Sequence, residues 1–581
     1  MIHLLRLGYT YLTDSNNSKH NINIDKETNF YVLIFKNHFE KLNPNSDLTT
    51  EIILRDIKWS LNNDDLGRDF YNNLISQNIK LVDFAFINNN VFHFAAELEY
   101  SHDINLFLNG LPLAFIQVNI PNNKDGQSAE EKRMNKRFFN LTQLMIFSNN
   151  MEYTDIVRKS FCSFFCTGAN KKVFFNRFIE EPIKNDPNYF YNNFVYNDIP
   201  VDIEKSILSD FNSKNILNTS EYETSKSYLT NTNKILTSLC SKERILFLIK
   251  YGIAYLTSER EEDGKKITIN HTHIARYQQL FACLAVKEKL DKGIKLCFIW
   301  HTQGSGKTAL SYYLVKFLTN YFSKKNKVAK FYFIVDRIDL LEQAKQEFET
   351  RGLSVKTAVY KKELLEQFSN YNASEGNAGR TEIVVVNIQR FSEHDKDIKL
   401  PPYSTKINID KDSIKIALTG TPLLKDEWTS MQIFGDYIHT YYYYKSINDG
   451  YTLKIIREDI DTYDKNNLKE ISKESSLYVQ KNEFKKSFLK ENDNSVKVLL
   501  RYIIKDFYRF RKVNNDNTLG AMIICDSSGQ AKKINDKFDE IQQEIVDDKE
   551  TRKKVIAEFN NKFKFDVLIV NNMLLTGFER K

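Results

Sequence analysis

Short apolar runs separated by polar turns occupy the first 185 residues. Residues 80–87, 91–100, 104–108 and 113–120 read as strands, and 128–139 follows with helical spacing, which predicts a small mixed sheet flanked by helices. From 186 to about 240 the periodicity weakens and Asn and Ser accumulate, the pattern of a connector, out of which 236–253 emerges as a helix. Strand signals then recur at 296–300, 331–335, 383–386 and 414–418, with helical sequence between them. Strands alternating with helices predict a parallel, doubly wound α/β sheet. A charged, Tyr-rich stretch after Thr440 leads to a second α/β pattern, with helix 495–511, strand 521–525, helix 550–559 and strand 567–570. No internal repeat or low-complexity tract interrupts the series.

Length turns this pattern into several domains: 581 residues, at about 150 per domain, make three or four units. Hydrophobic residues at 42% and charged residues at 27% are ordinary for a soluble chain, so disorder does not dominate. The balance of 82 basic and 75 acidic residues is compatible with a nucleic-acid partner without requiring one. Basic stretches at 132–137 and 324–330 suit DNA phosphates or simply a solvated face. Cys162, Cys166, Cys240, Cys283, Cys297 and Cys525 are scattered, which argues against a disulfide framework and for a reducing cytoplasm. Cys162 and Cys166 have helical spacing, suited to core packing or, with further ligands, to zinc. No apolar run reaches the ~18 residues of a membrane span, and the start M-I-H-L-L-R lacks a signal-peptide layout.

The most specific chemistry lies at 300–310, W-H-T-Q-G-S-G-K-T-A-L, directly after an apolar run. Gly304 and Gly306 let backbone N–H groups approach a polyphosphate, with Thr302 and Ser305 in the same loop. Lys307 reaches the outer phosphates, and the Thr308 hydroxyl suits magnesium. The full phosphate-loop pattern has a glycine where His301 stands, so the match is to the second half of the loop. The implied cofactors are ATP and magnesium. Gln279, in A-R-Y-Q-Q-L-F-A, is suited to the adenine edge. Asp336 ends the strand F-Y-F-I-V, and Thr419, Gly420 and Thr421 follow the strand ending I-A-L, all at strand ends where ligands sit in parallel sheets. In this order the segments resemble superfamily 2 helicases and DNA translocases.

A narrower resemblance covers nearly the whole chain. The segments D-I-N-L-F-L-N-G-L-P-L-A-F-I-Q-V-N-I-P-N-N (103–123), T-Q-L-M-I-F-S-N-N-M-E-Y (142–153), I-F-G-D-Y-I-H-T-Y-Y-Y (433–443), D-G-Y-T-L-K-I-I-R-E (449–458) and N-M-L-L-T-G-F (572–578) are similar to the R (motor and endonuclease) subunit of type I restriction enzymes. The resemblance implies a PD-(D/E)xK-like nuclease domain at 1–185, a connector at 186–245, a RecA-like lobe with the phosphate loop at 246–440 and a partial second lobe at 441–581. It also implies double-stranded DNA, a modification (methyltransferase) subunit and a specificity subunit as partners. The implied activity is ATP-driven translocation of DNA coupled to cleavage, with Asp336, Thr419, Gly420, Thr421 and Gly577 coupling the motor.

The chain departs from that family at its chemistry. On the match, Asp103 is the metal-binding Asp of the nuclease, but Gln117 and Asn119 occupy the Glu-x-Lys positions, two apart on one strand face. Magnesium would rest on Asp103 with a neutral neighbour, and Asn119 supplies no ammonium. Glu97 or Glu99 is a possible substitute carboxylate, or a solvated strand residue. No Asp-Glu pair lies on an apolar strand between Gln389 and Thr419; Asp410 is the stand-in, or a surface turn. The chain ends at Lys581, with Glu579 where an Asp is expected. These departures predict impaired cleavage and hydrolysis, and a shortened copy of the family's chain. The alternatives are a noncatalytic ATP- and DNA-binding scaffold and a stand-alone superfamily 2 helicase.

Overall fold

The computed structural model describes residues 1–12, 24–76, 78–98, 101–118, 136–148, 162–167, 173–182, 185–262, 265–336, 338–358, 381–387, 413–422, 430–454, 493–515, 520–525, 527–545 and 567–570. They form two compact units, Met1–Thr452 and Leu453–Lys581. Both are α/β.

The first unit opens with β1 (Thr10–Tyr11), the hairpin β2 (Ile24–Asp25) and β3 (Phe30–Tyr31), then β4 (Phe92–Leu98), β5 (Ser101–Leu108), β6 (Leu111–Val118), β7 (Leu144–Ser148), β8 (Cys162–Thr167) and β9 (Val173–Arg177). Seven of these make one sheet in the order β1-β4-β5-β6-β7-β8-β9. The β1–β4 and β6–β7 pairs are parallel and the rest antiparallel, so the sheet is mixed, as its sequence pattern predicts. Its middle strand β6 is apolar on both faces, with Leu113, Ala114, Phe115 and Ile116 all at or below 2% exposure. Asn109 and Gly110, with φ of 52° and 87°, turn β5 into β6. A Cβ at Gly110 would meet Phe35 N and Tyr31 O at 2.7 Å, so only glycine fits beneath the helix Val32–Leu42.

Residues 80–87 are not a strand. The Asp83 carboxylate accepts from the N–H groups of Ala85 and Phe86 at 2.9 and 3.0 Å, and this local turn displaces a ladder. Of the helix expected at 128–139, only Lys136–Leu141 lies within the described residues. Cys162 and Cys166 lie on the strand β8, not on a helix. The stretch read as a connector is largely helical. Val201–Asp210, Ser220–Ser225 and Asn231–Cys240 lie there, the last two capped by Thr219 and Thr230. The single helix expected at 236–253 breaks at Ser241 (ψ 137°), where Lys242–Tyr251 begins. An unanticipated antiparallel hairpin follows, β10 (Ile253–Glu262) and β11 (Lys265–Ile274).

The remainder of this unit carries β12 (Leu296–His301), β13 (Phe331–Val335), β14 (Ser354–Ala358), β15 (Glu382–Asn387), β16 (Lys415–Thr419) and β17 (Tyr437–Tyr441). The expectation of one sheet is corrected: among the described residues these strands form two three-stranded sheets, β16-β12-β17 and β13-β15-β14, every pair parallel. A common core joins them, in which Cys297 and Ile299 of the first and Ile383 and Val385 of the second pack with Leu310, Leu314, Leu341 and Phe348 from the crossover helices. Short polar β14 (S-V-K-T-A) escaped the sequence pattern because it is an edge strand.

The second unit pairs β18 (Ala521–Ile524) with β19 (Val567–Val570) in parallel. Helices Asp493–Asn514 and Ser528–Ile545 cover them, around Leu500, Ile504, Ile523, Ile534 and Ile541. The second of these helices was not anticipated; Ala531, Ile534, Phe538 and Ile541 carry its apolar stripe within a heavily charged sequence. The helix expected at 550–559 lies outside the described residues. No described helix is long and apolar enough to cross a membrane.

Candidate nucleotide-binding site

Strand β12 is buried through Cys297, Phe298 and Ile299, between β16 on one side and β17 on the other. Its carboxyl end releases the chain into the loop 302–306, and the Thr302 N–H donates to Tyr441 O at 2.9 Å, fixing the loop to β17. Ser305 Oγ donates to Thr302 O at 2.7 Å, closing the turn. Gly304 and Gly306 have φ of 75° and 81°, the left-handed region that glycine enters without strain. Gly306 then caps the helix Lys307–Ser323, which has no side-chain cap, so its first-turn N–H groups and its dipole remain suited to an anion.

Lys307 folds back over this loop. Its Nζ donates to Thr302 O at 3.0 Å and His301 O at 3.3 Å, and burial lowers its pKa from the usual lysine range to about 8. Thr308 stands beside it in the first helical turn, half-buried. Gln279, the third residue of the helix Tyr277–Asp291, is buried and braces the loop. Its Oε1 accepts from Arg276 N and its Nε2 donates to Gly306 O, each at 2.9 Å. A Cβ on Gly306 would lie 2.6 Å from that Nε2, whereas one on Gly304 would meet nothing within 4 Å.

The third component arrives on β16. Trp300 pairs with Thr419, the Trp300 indole N–H donates to Gly420 O at 3.2 Å, and a Cβ on Gly420 would be 3.1 Å from His301 O and 3.2 Å from Gln303 N. Thr421 N donates to Thr419 Oγ1 at 3.1 Å, holding this turn. The structure thus gathers Gln279, Thr302, Ser305, Gly306, Lys307 and the Thr419–Gly420–Thr421 turn around one loop. Asp336 is exposed at the end of β13 and takes no part in the contacts just described. Gly577 and Asp410 lie outside the described residues. The open Cβ direction at Gly304, the paired positive-φ glycines and the loop-facing ammonium all fit a magnesium-bound nucleoside triphosphate.

Sequence reasoning missed a buried cluster behind the loop. Arg177 and Asp449 form an ion pair at 2.8 Å, with side chains only 8% and 2% exposed, and Asp449 also accepts from the hydroxyls of Tyr277 and Tyr441. The segment D-G-Y beginning at Asp449 matched the family, but its role was not readable from order alone.

The family description "Type I restriction enzyme R protein N terminus (HSDR_N)" matches residues 1–154, and "Type III restriction enzyme, res subunit" matches residues 272–452. A Methanocaldococcus jannaschii chain assigned as the MjaVIIIP endonuclease subunit of a type I restriction enzyme is 23% identical, over 87% of this chain and 54% of its own length. The endonuclease subunit of the Staphylococcus aureus type I restriction enzyme SauCOLORF180P is 25% identical over 53% of this chain and 39% of its own. The family-model matches and these relatives together support an R subunit of a type I restriction enzyme. The chain spans about half the length of the curated relatives it matches. Among solved structures, the ATP-dependent type ISP restriction-modification enzyme LlaBIII bound to DNA aligns at a TM-score of 0.32 and 12% identity, over 54% of this chain and 25% of that one.

The other expected site is less complete. Asp103 lies on the backbone of β5, and Ile104 pairs with Ile116, which puts Gln117 at the same end of the sheet. Gln117 is buried at 5% exposure on β6, while Asn119 and the Asp103 side chain lie outside what is described. Among the described residues no group of three His, Cys, Asp or Glu side chains is placed to hold a metal ion. A buried neutral amide does not replace a magnesium-binding carboxylate. Of the basic stretches, Lys136 pairs with Asp64 at 2.6 Å and Arg137 with Glu27, the behaviour of a structured surface; 324–330 is exposed.

Proposed function

We propose that this chain binds MgATP at the loop 302–308 and works as the R subunit of a type I restriction system, drawing double-stranded DNA past a complex with modification and specificity subunits. Residues 246–440 then form a first RecA-like lobe and 441–581 part of a second, with 1–185 as the PD-(D/E)xK-like domain and 186–245 between them. Lys307 and the loop N–H groups hold the outer phosphates, the Thr308 hydroxyl holds magnesium, and Gln279 keeps the loop against the adjoining helix. Magnesium supplies charge neutralisation at the phosphates. The Thr419–Thr421 turn, touching the loop through Gly420, carries nucleotide state into the sheet, with Asp336 and Gly577 as further coupling positions.

The observation that carries this reading is the Lys307 ammonium seated on the carbonyls of residues 301 and 302, at a loop that turns on two positive-φ glycines. A phosphate oxygen competes well for such an ammonium, because a charged acceptor makes the stronger bond. Buried Gln117 favours a second reading for the N-terminal sheet, in which the chain binds ATP and DNA but does not cut. Equilibrium binding of labelled MgATP, with Lys307→Ala as control, joined to hydrolysis with and without duplex DNA, tests both. DNA-stimulated turnover that vanishes in Lys307→Ala supports the motor; binding without turnover supports the scaffold; no binding refutes the nucleotide site.

A further inference from the structure

Behind the phosphate loop a line of three polar side chains crosses from β12 to the end of the N-terminal sheet. His301 Nε2 lies 2.7 Å from His439 Nδ1, and His439 Nε2 lies 2.8 Å from Glu181 Oε1. His301 is fully buried at the end of β12 and His439 is 6% exposed on β17. Glu181 comes four residues after β9 ends at Arg177 and keeps its side chain 24% exposed. Its neighbour Glu180 is pinned by Arg244 through two 3.2 Å bonds, and Arg177 by Asp449, so this short strap is held at two points leading up to Glu181.

The chemistry of these atoms gives the chain a direction. A carboxylate only accepts, so His439 Nε2–H donates to Glu181. With both rings neutral, His439 Nδ1 then accepts from His301 Nε2–H. Burial holds the His301 pKa well below the ordinary histidine value, in keeping with a neutral ring. His301 Nδ1 is left as a buried lone pair without a partner among the described residues. The ring is therefore anchored at one nitrogen only, through His439. The backbone oxygen of the same residue accepts from Lys307 and is the atom nearest a Cβ on Gly420. His301 consequently meets the phosphate lysine through its peptide and the strap through its ring.

We propose that the Glu181–His439–His301 chain is the link through which the phosphate loop and the strap following β9 read each other's state, with His301 as a positioning residue for Lys307. This rests on the nucleotide reading above. When Lys307 leaves the carbonyls of 301 and 302 for a phosphate, the His301 peptide loses a charge-assisted bond and is left held by the Thr302 N–H bond to Tyr441 and, through its ring, by the chain to Glu181. Coupling between sites is reciprocal, so a change at Glu181 must return as a change in nucleotide affinity.

Hydrogen–deuterium exchange of the full chain, with and without saturating MgATP, reads both ends at once. The expected result is slower exchange in 302–310 and also in 177–182. Glu181→Gln, which keeps the shape and removes the charge, should melt close to the unsubstituted chain, weaken MgATP binding by a factor on the order of 5 to 100, and lose the nucleotide effect at 177–182. His439→Phe should do the same, and Glu181→Asp should recover part of the effect. Protection of 302–310 with no change at 177–182 in the unsubstituted chain overturns the link while leaving the nucleotide site standing, whether or not any variant folds. Absence of MgATP binding refutes the nucleotide site and the link with it. A Glu181→Gln protein that melts normally and binds MgATP with unchanged affinity also overturns the proposal.

Discussion

The seven-stranded sheet and the sheet around β12 are each built on a buried middle strand, and they part company at the carboxyl end of that strand. In the first, Leu113 to Ile116 run into Gln117, buried and neutral. In the second, Cys297 to Ile299 run into a loop that turns on positive-φ glycines and brings an ammonium onto its own carbonyls. Both sheets keep an apolar middle strand. Framework and chemistry are therefore set by different residues: burial of some 1.5 to 3 kcal/mol per large side chain holds the strands, while two or three polar positions decide whether a site exists.

The widest test of that contrast is to install the missing polar positions. Gln117→Glu with Asn119→Lys should raise magnesium-dependent nicking of supercoiled DNA by about 100-fold or more over the unsubstituted chain, the scale of restoring a metal ligand and a positioned ammonium. An unchanged nicking rate would mean that the sheet shares a framework with nucleases but no usable site.

A second test probes the seam between the phosphate-loop helix and the N-terminal helix Arg68–Ile75. Lys316 is half-buried, donates to the Tyr71 hydroxyl and to Ile253 O, and burial with the nearby Lys250 lowers its pKa to about 7. Unfolded, it titrates at the ordinary lysine value of about 10.5, so between about pH 7 and 10.5 the unfolded chain binds the extra proton. Stability should thus rise with pH across that window and be least below it. Lys316→Met should flatten this slope in denaturant melts and add about 2 to 4 kcal/mol at neutral pH. A Lys316→Met protein that is less stable at pH 7 would show that the ammonium is compensated.

Within the loop, the two glycines should respond unequally. Gly306→Ala adds the 2.6 Å approach to Gln279 Nε2 to an unfavourable φ, and should cost about 1 to 3 kcal/mol of MgATP binding by calorimetry. Gly304→Ala, with open space around it, should carry only the backbone strain of about 1 kcal/mol. Equal losses would remove the structural role given to Gln279. The loop also carries a pH dependence. Lys307 titrates at about 8 in the free protein and is held protonated by a bound phosphate, so affinity should be flat below pH 8 and fall by about tenfold per unit above it. Lys307→Arg should abolish that fall.

Much of this was readable from the chain. The strand at 331–335 is where the apolar run put it, and the phosphate loop follows β12 into a helix as its glycine spacing required. The strand expected at 80–87 failed because Asp83 satisfies neighbouring N–H groups locally, an alternative that periodicity cannot weigh. The 186–240 stretch hid its helices because their capping threonines and the Asn- and Ser-rich turns between them resemble loop composition. Gln279 was expected to face a base and instead spends both polar atoms on Arg276 and Gly306, a partnership that depends on residues 27 apart in sequence. The His301–His439–Glu181 line was invisible for the same reason, since its members are separated by 138 and 258 positions.

Four cysteines, Cys240, Cys283 and Cys297 in the first unit and Cys525 in the second, are buried free thiols. Burial raises the pKa of each, which slows alkylation as long as the surrounding core stays closed. A pulse of iodoacetamide read peptide by peptide would therefore clock the opening of the two cores independently, and give each half of the molecule its own unfolding rate without any added probe.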